Sequence, residues 1–345
     1  MGHKGCSCAL GLEAEKIGVQ DYLGWKYGWH KDGETIVFDV VPKEFKPKPD
    51  TFFKYYALTD YSVDALTNMY VYASHPAQLN DPFDCDLKLA KIEDEDNAKA
   101  LLQPIYEDAE QIFGDNRQAL FEFSTDCFST LVFRKQGILS LTEKCDNLKM
   151  WALYAQNTGF CLEWDVKQFP FVTKGPFPIH YVSAEEIKEV SSKEFDVQTM
   201  AIIQTNVKQD CWNDENEWRL LIQNPLGFDM KTFGKHAEEL NQFGDHDRKF
   251  KCPIHALKSI TLGINFFKEV YDKQQILSVS PYEMHVCYQK SCHQAKVLDF
   301  LATIGKSIFA ESIKVKLMLK TGLTYSIKPI NVIKSNELTF RIIEI

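Results

Sequence analysis

Between residues 52 and 223, short apolar segments of strand length alternate with segments of helical spacing, and this alternation limits the chain to a mixed fold. Residues 52–57 are rich in aromatic side chains, which favour strands, and residues 137–142 (GILSLT) have the composition of a buried strand. Trp151 and Ala155 then follow one helical turn apart. We therefore expect an α+β fold with a mixed, mainly antiparallel, split central sheet and flanking helices.

Alternation and helical spacing also predict the remaining elements. Further strands are expected at residues 35–41, 69–74, 159–166, 178–182, 217–223 and 259–263. Helices are expected at residues 61–68, 94–123 and 184–209. Another helix is expected to begin after the N-cap Asp146, and a further one to lie between residues 295 and 309. A terminal hairpin of residues 313–320 and 323–327 is expected to turn at Thr321 and Gly322, because glycine accepts the backbone conformation of a tight turn.

Three prolines, Pro42, Pro47 and Pro49, indicate an extended connector near the start of the chain. We therefore predict that residues 1–50 form an N-terminal appendage and that residues 52–265 form the main α+β domain. Residues 266–345 are predicted to form a C-terminal extension, a helix and a β-hairpin that pack on the main domain.

Composition excludes several classes of protein. The 345 residues carry a net charge of −9, which argues against broad binding of phosphate backbones, so we expect no extended nucleic-acid surface. No stretch approaches the roughly 18 apolar residues that a membrane span needs, and the first residues lack the apolar run of a secretory signal. The ten cysteines are irregularly spaced and are expected to be reduced thiols, so we predict a cytoplasmic protein without membrane contact.

Two groups of histidine and cysteine residues offer the ligands that zinc prefers. They are His3, Cys6 and Cys8 near the start, and His285, Cys287, Cys292 and His293 further along the chain. Neither spacing matches the paired cysteines of a zinc knuckle, and strand alternation places His285 and Cys287 on one face by packing alone. We favour the structural interpretation and predict no metal site.

Four short segments occur in series along the chain. They are Phe53-Lys-Tyr-Tyr56, Asn80-Asp-Pro-Phe-Asp84, Ser140-Leu-Thr142 with the following Trp151-Ala-Leu-Tyr154, and Glu215-Asn-Glu-Trp-Arg219. A strand of sequence GFCLEWDV follows the third segment. Together they resemble an uncharacterised bacterial family, the domain of unknown function 2971, over residues 52–263. That resemblance implies no activity.

A second resemblance, to ADP-ribosyltransferases that follow an Arg-Ser-Glu plan, does imply one. That plan has a basic residue on a first strand, a Ser-x-Ser/Thr strand, and a Glu-x-Glu pair that enters a later strand. The matching positions are Lys54, then Ser140 and Thr142, and then Glu215 and Glu217. Lys54 departs from the plan, because lysine offers a point charge where arginine offers a planar fork with two contacts.

The resemblance implies that NAD is the substrate and that Glu217 and Glu215 are catalytic. Glu217 would stabilise the cationic ribose that forms as the nicotinamide bond breaks, and Glu215 would take the proton of the incoming nucleophile. The NAD-binding residues would be Lys54, Tyr55, Tyr56, Ser140, Thr142 and Trp151. Of these, the aromatic residues would stack on nicotinamide. The predicted function is ADP-ribosyl transfer to an unknown macromolecular target, or NAD breakdown, as a toxin or anti-phage effector.

Two other functions stay open. A metal-dependent nuclease needs several carboxylates close together, and the candidate residues are Asp81, Asp84, Asp86, Glu215, Glu217 and Lys208. A non-catalytic protein would use the aromatic helix and strands as a surface for a partner protein. Each motif alone also has a structural interpretation, since Glu-x-Glu is common on exposed edge strands and aromatic residues at helical spacing usually pack in a core.

Overall fold

The computed structural model describes residues 17–32, 35–93, 111–123, 136–170, 173–223, 248–267, 276–307 and 312–345. The strands are β1 (Ile17–Tyr22), β2 (Trp25–Asp32), β3 (Thr35–Val41), β4 (Phe52–Tyr56), β5 (Tyr70–Tyr72), β6 (Ala90–Lys91), β7 (Gln136–Thr142), β8 (Phe160–Trp164), β9 (Thr173–Pro178), β10 (His180–Val182), β11 (Val190–Ser191), β12 (Val207–Gln209), β13 (Glu217–Gln223), β14 (Lys249–Lys251), β15 (Leu257–Leu262), β16 (Ile276–Ser280), β17 (Glu283–Cys287), β18 (Lys314–Thr321), β19 (Thr324–Lys334) and β20 (Thr339–Glu344). The helices are α1 (Asp60–Thr67), α2 (Leu148–Tyr154), α3 (Val197–Asn206) and α4 (His293–Ile304).

Shorter helical segments connect these elements. Helical stretches occur at residues 111–113 and 117–123. Turns of 3-10 helix occur at Pro76–Gln78, Leu87–Leu89, Val166–Gln168, Asp210–Glu215 and Ile254–Ala256. Within the described ranges, every helix is too short or too polar to cross a membrane.

An eleven-stranded sheet forms the centre of the structure, in the order β16-β17-β20-β19-β18-β15-β8-β4-β7-β13-β9. Its neighbouring strands run antiparallel except β15 and β18, which are parallel. Smaller sheets pair β1-β2-β3, β10-β12, β6-β11 and β5-β14. The chain therefore has the mixed α+β fold and the mainly antiparallel sheet that the sequence predicts.

The two faces of the central sheet pack into different apolar clusters, and β13 contributes to both. Trp218 and Leu220 belong to the larger cluster, whereas Leu221 belongs to a second cluster on the opposite face. Residues two apart in a strand share a face, so Glu217 and Arg219 lie on the face of Leu221. On the face of Leu221, the start of β13 thus carries charged side chains, whereas Leu221 itself, further along the strand, is apolar.

Most elements predicted from the sequence are confirmed. The predicted strands lie at β3, β4, β5, β7, β8, β10, β13 and β15, the predicted hairpin is β18 and β19, and helices α1, α2 and α4 lie where expected. The N-cap of α2 is Asn147 rather than Asp146, because the Asn147 side chain accepts hydrogen bonds from the backbone N–H groups of Lys149 and Met150. Strand β20, which continues the terminal hairpin, was not predicted.

The helix predicted at residues 184–209 is wrong over most of its length. The helix in this region is α3 alone, which begins after the N-cap Asp196. Strand β11 precedes it, and strand β12 follows it and carries Lys208. Of the helix predicted at residues 94–123, residues 94–110 lie outside the described ranges, and the remainder contains the two helical stretches with a break between them.

The N-terminal strands form a separate sheet that contacts the elements around β10 and α3. The Tyr27 hydroxyl lies 3.0 Å from His180 Nδ1, and Trp25 stacks on the His180 ring at 4.3 Å between centroids. Trp29 Nε1 donates to the Asp196 carboxylate at 3.0 Å. At the other end of the chain, β18 pairs with β15 inside the central sheet. The predicted domain boundaries at residues 50 and 265 stay a prediction.

Gly159 lies directly before β8, in close contact with the backbone of Tyr56 at the end of β4 and of Ala155 at the end of α2. A Cβ atom at this position would lie 1.8 Å from the Tyr56 carbonyl oxygen and 2.9 Å from the Ala155 carbonyl oxygen. Gly159→Ala is therefore expected to lower the free energy of unfolding by about 2 kcal/mol or more, because backbone atoms must move to make room. Urea denaturation measures this change.

Gly322→Ala is the control for this prediction. A Cβ at Gly322 meets nothing within 4 Å, so only its positive φ of 63° opposes the substitution. We expect a cost of about 1 kcal/mol there. Equal stability losses in the two variants would show that β4 and α2 do not approach Gly159 as closely as described.

Candidate active site

A cavity of about 230 Å³ opens in the central sheet beside β4 and β7. In the described residues these strands pair at a single position, Phe53 with Thr142, whereas β7 and β13 pair along their whole length. Charged and polar side chains from β4, β7, β12 and β13 line the cavity, together with Asn80 and Asp84 from the loop after β5. The cavity therefore collects residues from all four sequence motifs and from β12.

Glu217, the first residue of β13, is 4% exposed and contacts two cations. Its carboxylate accepts hydrogen bonds from Arg219 Nε at 2.8 Å and from Lys208 Nζ at 3.1 Å. Its backbone N–H donates to the Tyr181 hydroxyl at 2.9 Å. Burial acts to raise the pKa of Glu217, but the charges of Arg219 and Lys208 outweigh burial and lower the pKa to about 2. Glu217 is thus ionised at neutral pH.

Glu215 ends the 3-10 turn before β13 and is buried as well. Asn216 has a left-handed backbone with φ of 47°, and this turn brings both glutamates to one cavity. Glu215 therefore lies outside the strand, and the turn at Asn216, not the alternation of a strand, places it beside Glu217. Burial raises the pKa of Glu215; the Lys208 charge opposes this shift and the Glu217 charge adds to it.

Lys208 links the acidic side chains of the cavity. Its Nζ lies 2.6 Å from the Glu215 carboxylate, 3.1 Å from that of Glu217 and 3.8 Å from that of Asp84. Burial acts to lower the pKa of Lys208, but the neighbouring carboxylates raise it overall. Two glutamates thus share one ammonium group while their pKa values shift in opposite directions.

Arg219 and Asp84 form a buried bidentate ion pair in the wall of the cavity. Arg219 Nη1 donates to Asp84 Oδ1 at 2.8 Å, and Nη2 donates to Asp84 Oδ2. Arg219 Nη1 also donates to the Thr205 carbonyl oxygen at 2.8 Å. Both charged side chains are only 1% exposed. The pair ties the Asn80–Asp84 segment to β13 and holds Arg219 against Glu217.

The other predicted polar residues also line the cavity. Lys54 Nζ donates to the Ser140 carbonyl oxygen at 3.1 Å. The Ser140 side chain forms a hydrogen bond that helps to lower the pKa of Glu217. The Thr142 hydroxyl donates to the Glu215 carbonyl oxygen at 2.8 Å, so it positions the turn that carries Glu215. Burial lowers the pKa of Lys54 to about 8, although the charge of Glu217 opposes the shift.

The shifted pKa of Lys54 predicts a pH-dependent difference in stability between the wild type and Lys54→Met. Below its folded pKa of about 8, Lys54 is charged in both the folded and the unfolded state. Folding then buries the charge, and the whole cost of this burial lowers the stability of the protein. Between this value and the ordinary pKa of 10.5, the folded state releases a proton that the unfolded state keeps. The wild type should therefore gain stability relative to Lys54→Met as pH rises through this window.

Urea unfolding of both proteins at about pH 7 and about pH 10 measures this change. Lys320→Met, at an exposed position of β18, is the control for loss of a lysine. A stability difference between wild type and Lys54→Met that is the same at both pH values would contradict the prediction.

The three predicted aromatic residues occupy different places. Tyr55 lines the cavity, and its hydroxyl donates to the Lys144 carbonyl oxygen at 2.9 Å. Tyr56 lines a second cavity beside the first. Trp151 is fully buried, donates from Nε1 to the Cys145 carbonyl oxygen at 2.8 Å and packs edge-on against Tyr55. Trp151 therefore packs in the core behind Tyr55, away from the lining of either cavity.

Several residues to which the sequence assigned no role complete the site. The Tyr154 hydroxyl donates to Glu215 and accepts a hydrogen bond from Asn80 Nδ2 at 3.0 Å. Asn147, the N-cap of α2, donates from Nδ2 to the Asp214 carbonyl oxygen at 2.5 Å. These bonds dock the turn before β13 on α2. The sequence signal for these contacts was the series of four segments, because Asn80, Tyr154 and Glu215 each belong to a different one of them.

The carboxylates named for a nuclease do not surround an open metal position. Asp84, Glu215 and Glu217 converge on Lys208 Nζ, whereas Asp81 accepts a hydrogen bond from the Phe83 backbone N–H within its own turn. Among the described residues, no group of three or more His, Cys, Asp or Glu side chains is arranged to hold a metal. The nuclease function stays a prediction without a supporting observation.

The second group of histidine and cysteine residues also has other partners. His285 Nε2 lies 2.8 Å from the Glu283 carboxylate, and His293 Nε2 lies 3.0 Å from that of Asp60. Cys292 is the N-cap of α4 and accepts from the Ala295 backbone N–H. The seven cysteines within the described ranges are free thiols. His3, Cys6 and Cys8 lie outside those ranges.

Residues 150–220 match the model of a family described as a protein of unknown function, DUF2971. The matched part runs from α2 to the middle of β13 and includes Tyr154, Lys208, both glutamates and Arg219. The resemblance to this family predicted from the sequence is therefore confirmed over these residues. Neither the curated proteins nor the solved structures contain a significant match to the chain.

Proposed function

We propose that the cavity at Glu215 and Glu217 cleaves the bond between nicotinamide and ribose in NAD and transfers ADP-ribose to an acceptor or to water. The observation that carries this proposal is the convergence of both glutamates on Lys208 Nζ, at 2.6 Å and 3.1 Å, inside the cavity. Two carboxyl groups whose surroundings shift their pKa values apart are suited to different roles in one reaction.

Glu217 has the properties of the residue that stabilises the ribosyl cation. When the bond between nicotinamide and ribose breaks, its electron pair leaves with nicotinamide and positive charge develops on the ribose. A fixed carboxylate stabilises that charge, provided that the carboxylate is ionised and does not need to reorient. Glu217 meets both conditions, because Arg219 and Lys208 hold it in place and its pKa is about 2.

Glu215 has the properties of the general base. A water molecule or an acceptor hydroxyl that attacks the ribose must lose a proton, and a carboxylate with a raised pKa accepts a proton more readily. Burial raises the pKa of Glu215. The Tyr154 hydroxyl and Lys208 orient the carboxylate from two sides. The proton therefore passes from the nucleophile to Glu215 as the new bond to the ribose forms.

The arrangement of the strands supports the finer proposal of an ADP-ribosyltransferase-like site. Lys54 on β4, Ser140 on β7 and Glu217 on β13 lie on three successive strands of the sheet. This is the basic, serine and glutamate order of the Arg-Ser-Glu plan, with lysine as the basic residue. Action in the cytoplasm as a toxin or anti-phage effector belongs to the same proposal and rests on that resemblance.

Incubation of the protein with NAD in the presence of a metal chelator tests the proposal. We expect the protein to bind NAD and to release nicotinamide, measured by chromatography, because no step of the proposed reaction uses a metal. Calorimetric titration measures the binding directly. Absence of binding at about 1 mM NAD, a concentration at which even a weak complex forms, would refute the proposed function.

A further inference from the structure

A second cavity, of about 460 Å³, adjoins the candidate active site. The two cavities share Lys54, Tyr55, Ser74 and Tyr154 in their walls. The first cavity is lined mainly by charged and polar side chains, whereas tyrosine is the most frequent residue in the lining of the second. A molecule longer than either cavity would therefore place a charged or reacting part in the first and a flat, aromatic part in the second.

Tyrosine rings from three elements surround the second cavity. Tyr56 comes from β4, Tyr61 from α1, and Tyr70 and Tyr72 from β5. Tyrosine rings offer flat apolar faces on which an aromatic base stacks, and such stacking strengthens the binding of a base. The composition of this wall thus favours a planar aromatic ligand over a flexible aliphatic one.

Tyr56 lines this cavity and carries a buried hydroxyl group. Its oxygen is buried and has no hydrogen-bond partner among the described residues. Burial raises its pKa, so the hydroxyl keeps its proton and is available as a donor. A buried hydroxyl without a partner costs stability, and a ligand that accepts a hydrogen bond there removes that cost. Ring nitrogens and carbonyl groups of nucleobases are such acceptors.

Lysines lie at the margins of the same cavity. Lys54 stands at the junction with the first cavity, with its Nζ 5.8 Å from the centre of the Tyr56 ring. Lys249 lies on another wall, with its Nζ 5.0 Å from the centre of the Tyr70 ring and 3.6 Å from the Asp64 carboxylate. In a nucleotide whose base lies among the tyrosines, the phosphate group, joined to the base through ribose, would reach the Lys54 ammonium group at the junction.

We propose that the tyrosine-lined cavity binds a nucleotide, with the base among the tyrosines and its phosphate at Lys54. This inference rests on the proposed function for the chemistry of the adjoining cavity and deepens it by naming a second binding site. Two molecules could provide such a nucleotide. One is the adenosine half of NAD, and the other is a single nucleotide of an acceptor nucleic acid. Both place a phosphate at the junction and a base in the tyrosine wall.

Binding of AMP, which carries one base and one phosphate, tests the inference without catalysis. We expect calorimetry to give a dissociation constant of about 1 mM or tighter, with weaker binding of adenosine and of ribose 5-phosphate. Tyr56→Phe should weaken AMP binding about 3- to 10-fold, since it removes one hydroxyl and keeps the ring. Lys54→Met should reduce the affinity for AMP to that for adenosine. Tyr282→Phe, the same change at an exposed residue, is the control and should bind AMP as the wild type does.

Competition separates the two sources. Displacement of AMP by NAD assigns the cavity to the adenosine half, and displacement by a short single-stranded oligonucleotide assigns it to an acceptor; either outcome supports the nucleotide site. No AMP binding at about 10 mM, displacement by neither competitor, or equal affinities in wild type, Tyr56→Phe and Lys54→Met would overturn it. Glu217→Gln distinguishes failure of this inference from failure of the proposed function, because it should slow NAD cleavage about 100- to 1,000-fold and keep AMP binding.

Discussion

Glu217→Gln is expected to reduce the rate of nicotinamide release from NAD by about 100- to 1,000-fold. Glutamine keeps the size and shape of the side chain but removes the negative charge that would face the ribosyl cation. The loss should appear in kcat, with little change in KM, because the charge acts on the transition state more than on bound NAD. Initial rates of nicotinamide release over a range of NAD concentrations measure both parameters.

Three variants separate this chemical effect from a general loss of structure. Glu217→Gln leaves Arg219 and Lys208 with one partner fewer, so its fold must be checked by urea unfolding and circular dichroism. Glu217→Asp keeps the charge on a shorter side chain and should retain more activity than Glu217→Gln. Glu186→Gln, at an exposed position, should cleave NAD at the wild-type rate. A folded Glu217→Gln protein with wild-type activity would rule out the proposed role of Glu217.

The fold was predictable where local pattern and burial agree. Strand β7 is rich in apolar residues on either side of Ser140, and its Leu139 and Leu141 are indeed buried in the larger cluster. Prediction failed at residues 184–209, where apolar residues at helical spacing suggested one long helix. The chain instead leaves the helical conformation after Asn206, because Val207–Gln209 pairs with β10. Such pairing depends on a distant segment, and local spacing carries no information about it.

The candidate site was predictable in its residues and much less in their contacts. Lys54, Ser140, Thr142, Glu215 and Glu217 all reach one cavity. The sequence did not reveal that Lys208 would lie between the glutamates or that Arg219 would pair with Asp84, 135 positions away. Long-range ion pairs of this kind follow from the tertiary fold. The left-handed Asn216 was equally hidden, because Asn only favours that conformation and does not require it.

Arg219→Met is expected to lower the free energy of unfolding by about 3 to 5 kcal/mol. Methionine fills much of the same volume but leaves the Asp84 carboxylate, 1% exposed, without its bidentate partner. It also removes a cation from Glu217 and a donor from the Thr205 carbonyl oxygen. Urea denaturation measures the loss, and Arg341→Met is the matched control. Arg341 pairs with Glu283 at 2.7 Å at a half-exposed position, and such pairs contribute about 0 to 1 kcal/mol.

The double variant Asp84→Asn/Arg219→Met shows whether the large effect comes from the pair itself. If an uncompensated Asp84 charge causes most of the loss, removing that charge as well should recover part of the stability. The double-mutant cycle should then give a coupling energy of about 1 to 3 kcal/mol. Glu217 limits the recovery, because it stays paired with Lys208 but still lacks Arg219. Additive losses, with no coupling between the two positions, would show that Arg219 stabilises the fold through packing and not through Asp84.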